Sequence, residues 1–355
     1  MAKPPSTLHT SPGPPARSAD ENGAAPPGGA ASTTLTLFKP VILALAIGAI
    51  FIGVYLAAFH DPRPHGLPVA VVGSAATTDR VEAQLSAESP GSFHIRSLPD
   101  TASARSALER GEIFGVYVAS GESPRVLYAG ARGPSVTSLI TSTFDEVARE
   151  DGQVATAVDV VPSSPADTRG LVVFYATFGL VLAGYLFGIM TYQLAPRITV
   201  GQRLAGLGIF GALGGLTVAA IVHSGFGALP APFLGIAMLV ALVATAVGAS
   251  TMLLVRRLGV AGSSIAAVVF MTVGNATSGG SLPPDFLPGW LRPLSDVLPV
   301  GVGVRAMNGL AYFHHDGLTR ALIILPAWIL VSGLLLHRLD RSGALRGGRR
   351  STPGV

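Results

Sequence analysis

Apolar residues are concentrated in six long runs, and polar residues fill the segments between them. A helix needs about 20 apolar residues to cross the hydrocarbon core of a bilayer, and each run is close to that length. The pattern therefore predicts a membrane all-α fold with six transmembrane helices. The runs cover approximately residues 41–59, 171–194, 204–223, 231–255, 260–277 and 319–337.

The first run has two interpretations, a membrane anchor or a secretory signal peptide. The apolar part of a signal peptide has about 7–15 residues and ends at a small-residue cleavage site. This run is longer and leads into Phe59-His60-Asp61-Pro62. We therefore prefer an uncleaved transmembrane helix over residues 37–59. Residues 1–36 are rich in Pro, Gly, Ala and Thr and are expected to form a disordered tail.

Residues 60–168 have a different pattern, in which short apolar stretches alternate with charged and turn-forming residues. Strands are predicted near residues 68–72, 93–96, 113–118 and 126–128. Helices are predicted near residues 78–87, 102–110 and 134–150. Pro134 suits the first turn of the last of these helices. Alternating strands and helices predict a small α/β domain between the first two spans.

The distribution of basic residues predicts the orientation, because cytoplasmic loops carry an excess of Lys and Arg. The loop after the second span contains Arg197 and Arg203, and the next loop on that side contains Arg256 and Arg257. The C-terminal tail contains five further arginines, whereas the loop over residues 224–230 has no basic residue. We therefore expect both termini to lie in the cytoplasm.

This orientation defines the expected domains of a multi-pass protein of the plasma membrane. The α/β domain at 60–168 is extracytoplasmic, residues 169–338 form a five-helix membrane domain, and residues 339–355 form a basic cytoplasmic tail. Only 12% of the residues are charged, about half of the share in soluble domains. Because the basic residues lie at the ends of apolar runs, the bilayer is the expected partner and nucleic acid is not.

Few residues suit catalysis or cofactor binding. Cysteine is absent, which excludes disulfides and thiolate metal sites. A nucleotide-binding loop ends in Gly-Lys-Ser/Thr, but Lys3 and Lys39 follow Ala2 and Phe38. We expect no cofactor, no metal and no enzymatic activity in this chain. The sequence His314-His315-Asp316 has metal-binding residue types, and a solvated loop is the preferred interpretation.

The central parts of the spans contain no Asp, Glu, Lys or Arg, so only uncharged polar residues remain there. Among them, Asn275 is the candidate residue of a substrate path. Polar residues inside a membrane frequently mark such paths. The preferred alternative is an interhelical hydrogen bond, worth about 1 kcal/mol. Several glycines between residues 206 and 215 are expected to form a packing face of the third span.

Residues 282–312, before the last run, combine prolines with large apolar side chains. The prolines prevent one continuous helix, and the segment is too apolar for an ordinary solvated loop. We expect an outer hairpin of short helices at the membrane interface, with Trp290 at headgroup depth; a surface loop is the alternative. The candidate residues of this hairpin are Pro283, Pro284, Phe286, Trp290, Pro299 and Arg305.

The layout of one span, an outer α/β domain, five more spans and a proline-rich hairpin resembles the ABC transporter type-2 permease superfamily. The segment 107–118, in which a helix ends at glycine and a strand follows, is similar to the outer domain of that family. The segments 282–288, 298–299 and 305–310 are similar to its outer hairpin. The resemblance covers about residues 38–338, and a divergent branch resembling phage-infection-protein (Pip-like) membrane proteins fits the pattern as well.

This resemblance implies a permease subunit of an exporter that moves an amphipathic substrate, such as a lipid, drug or glycan, outward. It implies a homodimer and a separate cytoplasmic ATPase that contacts the loop between the second and third spans. The matching residues in this sequence are Arg197, Gly201, Gln202 and Arg203. The alternative is a non-transporting scaffold or receptor whose outer domain binds a ligand or a protein partner.

Overall fold

The structure, a computed structural model, describes the backbone of residues 29–119 and 123–348 and the side chains of residues 38–119 and 123–341. The predicted tails therefore lie partly outside the described residues. The chain divides into two compact units, Met1–Ala46 and Ile47–Val355. The cavity described below lies in the second unit.

Helix α1 (Gly29–Phe59) is the first described element, and its apolar part, Phe38–Phe59, is long enough to cross a membrane. Residues 29–36, which the composition places in a disordered tail, are helical instead. This segment contains no proline that would interrupt a helix, and an existing helix gains one hydrogen bond for each residue added to its end. Residues 1–28 lie outside the description.

A five-stranded sheet with three helices follows, and we call residues 67–159 the sheet region. The strand order is β2-β1-β3-β4-β5; β3 and β4 are antiparallel and the other pairs are parallel. The elements are β1 (Leu67–Val72), α2 (Ala75–Glu88), β2 (Phe93–Leu98), α3 (Thr101–Glu109), β3 (Gly115–Val118), β4 (Arg125–Tyr128), α4 (Pro134–Glu150) and β5 (Thr156–Asp159).

The interior strand β1 is buried on both faces, which explains its almost continuous apolar sequence. Val69 and Val71 pack into a core shared with α2 and α4, whereas Ala70 and Val72 pack into a core shared with α3. Successive side chains of a strand point to opposite faces, so one strand serves both cores. The predicted strands and helices are all present, and β5 is an additional edge strand.

The remaining helices run from residue 172 to residue 348. Five helices in the described chain, α1 among them, are long and apolar enough to cross a membrane. The elements are α5 (Val172–Gln193), α6 (Val200–Ala219, continued as a π-helix to Gly225), α7 (Phe233–Leu258), α8 (Val260–Ala266, continued as a π-helix to Val273), α9 (Gly274–Ala276), α10 (Arg292–Ser295), α11 (Pro299–Ala311) and α12 (Leu318–Gly348).

The predicted fifth span corresponds to the continuous apolar helix Val260–Ala276, which is shorter than the other candidate spans. Its length is about 26 Å at 1.5 Å per residue, slightly less than the hydrocarbon core of about 30 Å. The described chain is thus mainly helical, with five helices of membrane-spanning length and hydropathy and one shorter apolar helix.

Helix α7 is the most buried of the five long helices, and glycines let its neighbours approach closely. A methyl group on Gly184 of α5 would lie 2.6 Å from the carbonyl oxygen of Ala244 in α7. Gly211 and Gly215 of α6 similarly face the α7 backbone and the side chain of Thr245. Two of the glycines in the predicted packing face of the third span therefore lie at its contact with α7.

Candidate functional site

A cavity of about 580 Å³ lies between the sheet region and the adjoining ends of the helices. Its volume is within the range of small-molecule binding pockets, about 300–1,000 Å³. One side is formed by the start of α4 and the chain before α5. The other side is formed by residues 278–285 and by one face of α11. Helices α5 and α11 both begin near this cavity.

Two glycines hold the sheet region against the chain that leads into α5. Gly133 and Gly170 have φ angles of 89° and 65°, which are left-handed conformations that favour glycine. A methyl group on Gly170 would lie 3.4 Å from the Cα atom of Gly133. Asp167 fixes the same chain, because its buried carboxylate accepts hydrogen bonds from the backbone N–H groups of Leu171 and Val172, at 3.0 and 3.1 Å.

Arg132 lies next to Gly133 and lines the cavity. Its guanidinium carbon is 4.3 Å from the ring centre of Phe114 and 4.2 Å from that of Phe313. Nη2 donates a hydrogen bond of 2.8 Å to the carbonyl oxygen of Gly111. Nε is buried and has no acceptor among the described residues. Burial lowers the pKa of Arg132 to about 10, so the side chain is still charged at neutral pH.

The carboxylates that line the cavity are all paired with arginines. Asp316 accepts two hydrogen bonds from Arg305, at 3.0 and 3.2 Å, and Asp285 pairs with Arg292. Asp296 pairs with Arg320 and lies 3.5 Å from Arg305. Burial opposes the charged form of Arg305, but the bonds to Asp316 and the nearby carboxylates outweigh it and raise its pKa.

Glu112, the remaining acidic residue of the lining, pairs with Arg110 at 2.6 Å. This hydrogen bond lowers the pKa of Glu112, so the carboxylate is ionised at neutral pH and its charge is offset. The acidic residues of the cavity are therefore each neutralised by a neighbouring guanidinium.

The proline-rich segment connects the sheet region to the helices. Phe286 is buried and packs into the core shared with α2 and α4. The carbonyl oxygen of Asp285 accepts a hydrogen bond of 2.8 Å from the backbone N–H of His65. Pro299 begins α11, most of which is buried, and Trp290 is 66% exposed. Of the predicted hairpin residues, Pro283, Pro284 and Arg305 line the cavity.

The predicted ATPase-contact loop connects α5 and α6. Arg197, Gly201 and Gln202 are exposed, and Gln202 forms a capping box with Thr199 at the start of α6. Arg203 is only 4% exposed, and its guanidinium donates to Thr191 Oγ1 at 2.7 Å and to the Ala195 carbonyl oxygen at 2.9 Å. Arg203 thus points into its own chain, and Arg197 is the arginine of this loop that a partner could contact.

Asn275, the candidate of the substrate path, donates a hydrogen bond to the hydroxyl oxygen of Tyr55 in α1. Its own side-chain oxygen is buried without a partner in the described residues. Asn275 is absent from the residues that line the cavity. The contact is of the interhelical kind that the sequence analysis favours for this residue.

Arg132 and Arg169 both line the cavity but are not among the residues that the sequence pattern predicts for a site. Arg132 lies in Gly130-Ala131-Arg132-Gly133-Pro134, where glycines surround a basic residue directly before a predicted helix. That arrangement is a usable signal for an exposed backbone at a helix start. Arg169 has no comparable local pattern.

Comparison of this chain with protein-family models, with curated proteins and with solved structures finds no match.

Proposed function

We propose that the chain is the membrane permease subunit of an ABC-type exporter that moves an amphipathic substrate outward, powered by a separate cytoplasmic ATPase. The observation that supports this best is the cavity lined by the broken segment between α9 and α11. At membrane depth, backbone outside a helix must be shielded by protein or line a cavity. Transport proteins place binding sites at such helix breaks.

The proposed topology has six spans, with both termini in the cytoplasm. In this topology Val260–Ala276 is a short span. It leads from the side of the membrane where Arg256 and Arg257 lie to the side where the cavity lies. The Arg256 guanidinium is 3.8 Å from the Asp340 carboxylate, so the ends of α7 and α12 lie together. Because Arg197 follows α5 on the same side of this topology, the positive-inside rule favours a cytoplasmic position for this end.

The sheet region connects the end of α1 to the start of α5. In the same topology it lies on the side of the membrane opposite to Arg197. It is therefore proposed to lie outside the plasma membrane, above the cavity. A homodimer is part of the proposal because the long helices expose many large apolar side chains, which lipid or a second copy would cover.

Export is tested in cells that lack the gene. Efflux of a panel of fluorescent amphipathic dyes and of a fluorescent phospholipid is compared in the deletion strain and in strains complemented with wild type, Arg197→Glu or Arg63→Glu. We expect slow efflux without the gene, restoration by wild type and by Arg63→Glu, and loss with Arg197→Glu at equal protein levels. Unchanged efflux of every probe in the deletion strain would contradict the proposal.

The ATPase is tested separately with a photo-crosslinking amino acid at position 197. A crosslinked product that also binds an azido-ATP probe is the expected result, with position 63 as the matched exposed control. If no protein crosslinked at position 197 binds the azido-ATP probe, the proposed contact with an ATPase is absent. That result would contradict the ABC-type mechanism.

The second candidate is a non-transporting receptor or scaffold in which the sheet region binds a ligand. The position of the cavity favours it, because the sheet region supplies one wall. The two functions differ in the deletion strain: a receptor predicts normal efflux together with loss of a ligand-dependent response.

A further inference from the structure

The cavity holds two arginines whose charge no carboxylate neutralises by contact. Arg132 and Arg169 both line it, and neither forms an ion pair in the part of the chain that the structure describes. The other two arginines of the lining, Arg292 and Arg305, are paired with aspartates. The lining holds four carboxylates and four guanidiniums, but Glu112 and Asp296 are paired with Arg110 and Arg320 from outside it. Arg132 and Arg169 are therefore left without a carboxylate in contact.

Arg132 is held in one orientation. Its guanidinium lies over the rings of Phe114 and Phe313, and the Gly111 carbonyl oxygen accepts a hydrogen bond from Nη2. The planar edge of a guanidinium is the part that donates to phosphate and carboxylate groups. Burial lowers the pKa of Arg132, and the nearby carboxylates of Asp316 and Asp285 oppose this only in part. Both aspartates are already engaged by other arginines.

The start of α4 adds a second source of positive potential. Gly133, Pro134 and Ser135 line the cavity, and Gly133 supplies no side chain to cap this 17-residue helix. The Gly133 N–H is bonded to the Gly130 carbonyl oxygen and Pro134 has no N–H, so Ser135 supplies the first N–H group at this helix start without a partner within the helix. The aligned peptide dipoles favour an anion at this end. Arg132 precedes this terminus directly, so the arginine and the helix start act on the same space.

Arg169 reaches the cavity from the chain before α5. Its side chain is exposed and forms no hydrogen bond to the described residues. The contact between Gly133 and Gly170 keeps this chain beside the start of α4. Donors therefore approach from two segments, and an anion with several terminal oxygens can accept from both.

We propose that this cavity binds a phosphate ester, whose phosphate oxygens accept from Arg132, Arg169 and the Ser135 N–H at the start of α4. The volume of about 580 Å³ leaves room for an organic substituent beside the phosphate. The ester is either the headgroup of an anionic phospholipid or a small soluble phosphate ester. The site goes beyond the proposed export function and holds for a receptor as well.

The experiment uses the purified full chain and measures binding in two arms. In one arm, glycerol 3-phosphate is titrated into the protein by calorimetry. In the other, the protein is reconstituted in nanodiscs of phosphatidylcholine with or without phosphatidylglycerol, and retained lipid is identified by native mass spectrometry. Wild type is compared with Arg169→Ala, Arg132→Lys and Arg149→Ala. Arg149 is an exposed arginine in the last turn of α4, away from the cavity.

We expect binding in at least one arm, with about a tenfold or greater loss for Arg169→Ala, because hydrogen bonds to charged groups are strong. Arg149→Ala should bind like wild type. Binding of glycerol 3-phosphate identifies a soluble ester, and selective retention of phosphatidylglycerol alone identifies a lipid headgroup. Arg169 is exposed, so its removal tests the site even if Arg132→Lys fails to fold. Equal binding by wild type and Arg169→Ala, or no binding in either arm, overturns the proposal.

Discussion

The guanidinium carbon of Arg203 lies 4.1 Å from the centre of the Tyr192 ring. The same guanidinium donates to the Thr191 hydroxyl oxygen and to the carbonyl oxygens of Ala195 and Pro196, at 2.7, 2.9 and 3.2 Å. One buried arginine therefore closes the turn between α5 and α6. Its cost of burial is offset by acceptors that would otherwise lack partners.

We expect Arg203→Ala to destabilise the protein by about 2–3 kcal/mol, because several buried acceptors lose a charged donor. The measurement is thermal unfolding in detergent, followed by size-exclusion chromatography of the heated sample. Arg197→Ala is the matched control, since Arg197 lies in the same loop and is exposed. Equal stability of the Arg203→Ala variant and wild type would contradict the structural role of this arginine.

A second prediction concerns the contact between α5 and α7. Gly184→Ala places a methyl group 2.6 Å from the Ala244 carbonyl oxygen, and we expect a loss of about 1–3 kcal/mol from overpacking. Gly179→Ala is the control in the same helix, because nothing lies within 4 Å of its added methyl group. Alanine has the higher helix propensity, so the control should be neutral or stabilising. Denaturation in detergent compares the two variants.

The hydrogen bond between Asn275 and Tyr55 is tested by a double-mutant cycle. We expect Tyr55→Phe and Asn275→Ala to interact by about 0.6–1 kcal/mol, the usual strength of a bond between membrane helices. The free energies of unfolding of the wild type, the two single variants and the double variant give the interaction energy between the two side chains directly. Additive effects would show that the bond contributes nothing, and would return Asn275 to its role as a substrate-path candidate.

The topology is tested with single cysteines, for which the sequence, lacking cysteine, needs no prior changes. Ser97 is exposed on the edge strand β2, Ser281 is exposed beside the cavity and Ala261 is exposed at the start of α8. We expect a membrane-impermeant maleimide to label Ser97→Cys and Ser281→Cys in intact cells, and Ala261→Cys only after permeabilisation.

The pair Ala261→Cys and Ser281→Cys decides the number of spans. Ala261 lies at the start of the helix Val260–Ala276 and Ser281 lies just beyond its end, so labelling from opposite sides requires that the helix crosses the membrane. Labelling of both positions from the same side would reduce the count to five spans and would place the two termini on opposite sides.

Regular patterns in the sequence predict most of the architecture. The observed bounds of α4 are the predicted ones, because Pro134 marks its start and its apolar residues share one face. The strand β5 is missed because its four residues lie at the sheet edge and are mostly exposed, so burial imposes no apolar pattern on them. The apolar run at 260–277 corresponds to the helix Val260–Ala276, which is shorter than the candidate spans, and such a run does not reveal the π-helical turn at Ala267–Val273.

The candidate site is harder to predict, since it joins residues that are distant in sequence. The prolines before α11 identify one wall, which includes Pro283, Pro284 and Arg305. The other wall contains Arg132 and Arg169, and these arginines come together only through the close approach of Gly133 and Gly170. The charge of a residue also does not predict its exposure. Arg203 and Arg197 are arginines of the same loop, but Arg203 is buried and Arg197 is exposed.

Helix α12 has 31 residues and is therefore about 46 Å long, whereas the hydrocarbon core of a bilayer is about 30 Å thick. If α12 crosses the membrane, its last turns extend beyond the hydrocarbon core as a continuation of the same helix. Near its middle, the Ser332 hydroxyl lies 3.1 Å from that of Ser250 in α7, and α12 also packs against α11. Because α11 lines the cavity, its contact with α12 links the long last helix to one wall of that cavity.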